Sequence, residues 1–425
     1  MKSRILLWSV ISILALGIAA GAYWWLSRPQ ILVLDDGAQL TLLAVTYGKR
    51  HTLPASKTGG HKIHIATLTT TNDSLCLWID RKHEENNWPN YQLLAFDAAN
   101  TSCSTAQMRR QGNFNGNDRT EEVEALVFES FPRRGRKIYF RIQKWNNGQQ
   151  ELSPAGFVVR NPAPRGDYPK WTPDVLPVTR EDHDLQITLT RFEIDGDGSN
   201  SSGQTTEHKD PMNNWVLTAF RVEQNGTVVT NWRPFDIETL AATGNHSKNR
   251  NWNNRQEEDE EIMTYQWGLW PDEPAWKLNV EMSRQSGFAA DEMWTASGIL
   301  LKPGDINDLF QRNKRGEPCA ETTLGDFHVK VFRVVVPSAD QTQNYGGNMD
   351  GLLLVKVDPP PQGMRLTVTK ITDDQNRAVE SNPWTWGGGE YRFSLKKLAG
   401  VKSINVTMAL HRSRYAVFTV KPSWK

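Results

Sequence analysis

The sequence predicts a mainly β protein: an N-terminal transmembrane helix followed by tandem β-sandwich modules. Three observations carry this. Residues 5–26 run without a charge. Nearly every ordered stretch beyond them alternates apolar and polar residues with period two. The landmarks of the first such stretch return in the same order in the second.

The apolar run, Ile5 to Leu26, is preceded by Lys2 and Arg4 and closed by Arg28-Pro29. About 20 helical residues span a hydrocarbon layer about 30 Å thick. Tyr23, Trp24 and Trp25 stand together at its far end, where amphipathic rings favour the membrane–water interface. The basic residues favour a cytoplasmic N-terminus, so the reading is a single-pass signal anchor at 5–26 with a cytoplasmic stub at 1–4 and the bulk outside the cytoplasm. The lipid bilayer is then the first expected partner. The alternative is a secreted chain, because Ala20-Gly21-Ala22 fits a cleavage site near Ala22.

Beyond the run the chain is polar, with a mean hydropathy of -0.57 over the whole sequence. Its 425 residues suggest two or three domains. Forty-nine Lys and Arg against 48 Asp and Glu leave no basic footprint for nucleic acid.

The first β-sandwich module is placed at 30–162 and opens on Leu40-Thr41-Leu42-Leu43-Ala44-Val45. Asn161 to Pro177 carries five prolines, which cannot donate to a ladder, so 163–178 reads as a Pro-rich linker. The second module, 179–337, opens on Leu185 to Thr190 and contains a polar insert at 244–261. A shorter third module, 350–425, opens on Leu366 to Ile371. Modules one and two share a Trp after the second strand (Trp88, Trp232), an Ala-Ala step (Ala98-Ala99, Ala241-Ala242) and an aromatic-Pro step (Phe131-Pro132, Trp270-Pro271). Ile138, Phe140 and Ile142 share one strand face. Asn225-Gly226 signals a type I′ hairpin, whose two central residues need positive φ. Asp305 is the predicted cap of a short helix over Ile306 to Phe310.

Cys76 and Trp78 lie two apart, hence on one face of a strand. A Trp beside a cysteine in a sandwich is similar to the arrangement in immunoglobulin-like domains, although the cysteine spacing and order differ. The modules therefore resemble immunoglobulin-like sandwiches in general, without membership of one family. Of the three cysteines, Cys76 and Cys103 form a possible disulfide, worth about 3 kcal/mol in the chain-entropy view. Cys319 is left over.

No motif specifies catalysis. Gly-x-Ser-x-Gly, His-Glu-x-x-His, a phosphate loop and a dinucleotide fingerprint are absent. No catalytic residue, cofactor or metal is assigned. Asp195 and Asp197 in Asp195-Gly196-Asp197-Gly198 are weak candidates for a cation, because the sixth and twelfth positions hold Asn200 and Thr206 instead of Gly and Glu. The acidic run Glu257 to Glu261 reads as a solvated, locally neutralised loop. Trp384 and Trp386, at alternate positions before Gly387-Gly388-Gly389, are the weak candidates for ligand binding. The expected function is a non-catalytic binding or structural role at the cell envelope. The alternatives are a carbohydrate-binding protein or glycan-active enzyme, with a glycan as partner, and a subunit of an envelope complex, with another envelope protein as partner.

Overall fold

A computed structural model describes residues 30–34, 37–53, 67–82, 91–98, 103–105, 107–111, 121–146, 149–194, 215–248, 252–266, 268–311, 314–338, 349–386 and 388–424. They are mainly β, in sheets that are antiparallel apart from two short parallel pairings. No helix among them is long and apolar enough to cross a membrane. Residues 5–26, where the anchor is expected, and the alternative cleavage site near Ala22 lie outside the described residues.

The first sandwich contains β1 (Gln30–Val33), β2 (Gln39–Thr52), β3 (Thr67–Lys82), β4 (Tyr91–Phe96), β5 (Cys103–Thr105), β6 (Gln107–Gln111), β7 (Glu121–Phe128), β8 (Lys137–Asn146) and β9 (Gln149–Arg160). One sheet runs β1-β2-β3-β7-β6, the other β5-β4-β8-β9. Alternation decides which side chains meet between them. Leu75, Leu77 and Ile79 of β3 pack with Leu93 and Ala95 of β4 and with Ile138, Phe140 and Ile142 of β8. Gly156 lies so close to β8 that a Cβ there would sit 1.8 Å from the Phe140 carbonyl oxygen. The β8–β9 register shifts just beyond, between Arg141 and Gln143.

The second sandwich starts with β10 (Val178–Asp182), β11 (Leu185–Ile194), β12 (Trp215–Gln224), β13 (Thr227–Val228), β14 (Trp232–Ala241), β15 (His246–Lys248), β16 (Trp252–Glu257), β17 (Glu260–Gln266) and β18 (Trp276–Arg284). Asn225 and Gly226, at φ 51° and 76°, form the tight turn between β12 and β13, as predicted. The stretch read as a polar insert, 244–261, is instead part of the sandwich: it supplies β15, β16 and the start of β17. Its acidic run is the tip of the β16–β17 hairpin, where Arg191 pairs with Glu257 and Glu260 and Arg221 with Asp259.

The chain continues through β19 (Met293–Pro303), α1 (Ile306–Phe310), β20 (Ala320–Leu324), β21 (Phe327–Val331), β22 (Val334–Val336), β23 (Gly351–Asp358), β24 (Met364–Asp373), β25 (Glu380–Trp386), β26 (Glu390–Lys396), β27 (Ser403–Arg412), β28 (Arg414–Val420) and β29 (Ser423–Trp424). Asp305 caps α1 as expected, its carboxylate accepting from Asn307 N at 2.8 Å.

Strand order exposes the relation between the units. The sheets β1-β2-β3-β7-β6 and β5-β4-β8-β9 answer, strand for strand, to β10-β11-β12-β17-β16 and β15-β14-β18-β28. The third sandwich repeats the pattern as β20-β21-β23-β26-β25 and β24-β27-β19. Its closing strand, β19, precedes the rest of it in the chain. The closing strands of sandwiches two and three are therefore exchanged. β19 follows β18 yet pairs with β27, and β28 follows β27 yet pairs with β18. The connectors explain half of this: Ser413 alone separates β27 from β28. The commonest tight hairpins need a two-residue loop, so β28 runs straight on into the neighbouring sandwich.

This corrects the boundaries drawn from sequence at 179–337 and 350–425. The second sandwich is built from strands within 178–284 and 414–424, the third from strands within 293–412. Phe418 of β28 lies in the second core, 6.2 Å from Phe220 between ring centroids.

The linker is not a free spacer. Asn161 Nδ2 donates to the carbonyls of Pro132, Arg133 and Gly135, Asp174 N donates to Thr419 O at 2.7 Å, and Lys277 sits over the Trp171 ring. Sandwiches one and two meet through buried polar groups. Arg133 donates through Nε to Asn245 Oδ1 (2.9 Å), through Nη1 to Tyr47 Oη (2.8 Å) and through Nη2 to the Asp73 carbonyl (2.6 Å). Trp270 Nε1 donates to Ser130 Oγ, which donates to Gly268 O. Both aromatic-Pro steps noted in the sequence thus lie at this contact.

Candidate functional site

The sequence candidates are dispersed. Asp195 and Asp197 lie outside the described residues. Among the described residues, no group of three His, Cys, Asp or Glu side chains is placed to hold a metal ion. Cys76 is a free, buried thiol, so the disulfide with Cys103 is not formed. The reason is alternation: Leu75 and Leu77 face the facing sheet, which turns Cys76 and Trp78 to the opposite side with Leu53, Val123 and Val127. The Cys103 side chain lies outside the described residues. Asp182-His183-Asp184 forms the β10–β11 turn and is tied to β28, with Asp182 accepting from Tyr415 N and Asp184 from Arg414.

One nucleophile–base pair went unnoticed in the sequence. His51 Nε2 and Ser74 Oγ are 2.8 Å apart, and Thr46 Oγ1 is 2.9 Å from His51 Nδ1. That spacing matches a base poised on a hydroxyl. Both His51 and Ser74 are fully buried, and burial lowers the His51 pKa, favouring the neutral ring. Neither side chain of the pair reaches the surface. Its role is to tie β2 to β3 beside the irregularity between Gly48 and Arg50.

One surface feature among the described residues lies on the third sandwich. Val329, Val331, Val355, Val357, Tyr391 and Phe393 fill its core. Lys330, Lys356, Glu390 and Arg392 therefore project from the other face of the β21-β23-β26 sheet. Register sets them in rows: Glu321, Lys330, Lys356, Glu390 and Trp386 stand opposite one another in turn, and Trp384 opposes Arg392. The side chains of Trp384 and Trp386 lie outside the described residues; their backbone places β25 at the border of this face.

A shallow cleft opens here, lined by Arg315, Gly316, Glu317, Lys330, Phe332 and Lys356. The loop before β20 brings in Arg315, whose guanidinium lies 5.5 Å from the Phe332 ring centroid and donates to Glu390 at 2.8 Å. Burial raises the Glu390 pKa, but the Arg315 hydrogen bond and charge outweigh it and hold the carboxyl below its ordinary value. Lys356 donates to Asp358 at 2.6 Å. Phe332 is largely buried beneath Arg315, so the cleft presents chiefly the charged groups of Arg315, Glu317, Lys330 and Lys356. These residues escaped the sequence reading because they come from a loop and three strands. The available signal was a lysine at the outward position of an apolar strand, as in Val329-Lys330-Val331 and Val355-Lys356-Val357.

No protein-family model matches the chain, and no curated protein matches it. Among solved structures, it is similar to one described as the crystal structure of the conserved domain protein from Bacillus anthracis, with 9% identity over 64% of this chain and 82% of that one, at a TM-score of 0.22. A likeness so slight bears on neither fold nor function.

Proposed function

We propose that this chain is an exported, non-catalytic binding protein, held to a membrane by a helix over residues 5–26, that presents the outer face of its third sandwich to a ligand. The observation that carries the reading is the cleft at Arg315, Lys330, Phe332 and Lys356, bordered by the strand bearing Trp384 and Trp386. We read the modules as immunoglobulin-like. The support is strand order: β2-β3-β7-β6 against β5-β4-β8-β9 follows the A-B-E-D and C′-C-F-G sheets of that architecture. Buried polar contacts between the first two sandwiches and crossing strands between the last two suit a stiff support for such a face.

The test is a glycan array probed with the detergent-solubilised full-length protein, beside its Lys356→Gln and Trp386→Ala variants. Binding that both variants weaken supports the reading. Binding that neither variant alters moves the site elsewhere and refutes it. A second reading, a subunit of an envelope complex, draws on Ile31, Val33 and Val158, which are exposed apolar side chains on β1 and β9. Those strands are joined where Gln30 bonds the Val158 backbone. Cross-linking in membranes from Val33→Cys to a second protein would favour that role.

A further inference from the structure

Resting on the membrane-anchored reading, we propose that the first sandwich docks edge-on against an anionic lipid surface through the seam between β1 and β9. Seven large apolar side chains are exposed among the described residues, and three of them, Ile31, Val33 and Val158, flank this one seam. Ile31 and Val33 alternate with Leu32 and Leu34, which enter the core, so they point out of one sheet. Val158 alternates with Phe157 and Val159 and points out of the other. Gln30 closes the seam: its Nε2 donates to Val158 O at 3.0 Å and its Oε1 accepts from Val158 N at 3.3 Å. The result is a wedge with apolar side chains on both flanks, and entry of the wedge into a headgroup layer covers both at once.

Two observations favour lipid over a protein partner for this wedge. The first is reach. Only Ser27, Arg28 and Pro29 separate the apolar run 5–26 from Gln30. Four Cα steps span at most about 15 Å, and the headgroup layer is itself about 5–7 Å thick on each side. An anchor over 5–26 therefore holds the start of β1 within about 10 Å of the headgroups. Pro29, with its fixed φ, takes further slack out of the connection. A protein partner would have to enter that gap.

The second observation is charge. Arg160 follows Val158 by two residues, hence on the same face of β9, and stands directly opposite Lys137 of β8. Both side chains are exposed, and among the described residues no acidic group pairs with either. Like charges opposed across a sheet repel, and an anionic headgroup beside them offsets that cost. Arg28 adds a third cation in the connection. Apolar side chains rimmed by cations match the boundary between acyl chains and anionic headgroups.

Fluorescence quenching tests this on the full-length chain in nanodiscs of phosphatidylcholine and phosphatidylserine carrying a nitroxide on the lipid headgroup. An environment-sensitive fluorophore is placed at Val33→Cys, at Val158→Cys or, as the control, at Leu300→Cys on the third sandwich, each in a Cys319→Ser background whose unmodified form is the blank. All three positions are exposed, so circular dichroism should show the fold intact. The labels at 33 and 158 should be quenched strongly and the label at 300 weakly. Lys137→Gln and Arg160→Gln should each lower the ratio of docked to undocked protein about fivefold, an effect that fades in phosphatidylcholine alone and in high salt. Equal quenching at all three positions, or none at 33 and 158, would overturn the docking while resistance to carbonate extraction shows the anchor in place. Quenching indifferent to both charge variants would overturn the anionic surface. Cross-linking of Val33→Cys to a second protein in native membranes, with no quenching in nanodiscs, would give the seam to a protein and overturn the lipid. Release of the chain by carbonate would overturn the anchor and this inference together. Ligand binding by the third sandwich is read separately on the glycan array.

Discussion

Asn245→Ala removes the group on which the contact between sandwiches one and two turns. Asn245 is fully buried. Its Oδ1 accepts from Phe131 N at 3.1 Å and from Arg133 Nε at 2.9 Å, and its Nδ2 donates to Thr243 Oγ1 and Glu273 Oε1, both at 3.3 Å. Truncation strands a buried backbone N–H, at about 1–3 kcal/mol, and a buried guanidinium N–H, at somewhat more. Arg133 keeps Tyr47 and Asp73, and Glu273 keeps Arg134 and Thr243, which limits the damage. The expected loss is about 3–5 kcal/mol, concentrated at the contact. Urea unfolding monitored by Trp fluorescence should show a lower midpoint, and hydrogen exchange should speed up at Phe131 and in the 241–245 turn. A loss below about 1 kcal/mol, with exchange at Phe131 unchanged, would refute the view that this network joins the two sandwiches.

Three further outcomes are expected. His411 is buried between sandwiches two and three, with Nδ1 donating to Arg412 O, Nε2 3.1 Å from Thr367 Oγ1, and Arg284, Arg365 and Glu292 nearby; burial pushes its pKa down to about 4. The unfolded ring titrates near 6.5, so its contribution is full above about pH 6.5 and falls by about 3 kcal/mol as pH drops towards 4; His411→Gln should flatten that part of the stability profile, and an unchanged slope would contradict it. Gly156→Ala forces β8 and β9 apart at the Phe140 carbonyl and should cost about 1–3 kcal/mol, visible as a lower Tm; an unchanged Tm would show that the close approach is not required. Burial pushes the Cys76 thiol up to about 12 while Cys319 is exposed, so iodoacetamide at pH 8 should modify Cys319 in the folded protein and Cys76 only after unfolding, as read by mass spectrometry.

Local structure was legible because it depends on local pattern. The alternation at Ile138, Phe140 and Ile142, the Asn225-Gly226 turn and the Asp305 cap were read from neighbouring residues and hold in the fold. The polar stretch 244–261 was misread because β16, Trp-Asn-Asn-Arg-Gln-Glu, is a short edge strand with little apolar content. The module boundaries failed for a different reason. Alternation says that β28 is a strand but names no partner, and its partner β18 ends before residues 285–413 intervene. The cleft was hidden by the same non-locality: Arg315, Lys330, Lys356 and Arg392 are neighbours only after register is set. Trp384 and Trp386 were conspicuous by composition, and they mark one border of that face.

The exchange of closing strands has a bearing on biogenesis. The edge of β18 must wait for residues 414–420, which emerge only after the whole third sandwich has been made. At about 5–20 residues per second, synthesis leaves that edge without its mate for on the order of ten seconds. An unpaired strand next to a half-built apolar interior invites mispairing, so the nascent chain should depend on a holding factor through that interval. A nonsense mutation near the C-terminus would consequently wound the middle of the molecule and not its tip.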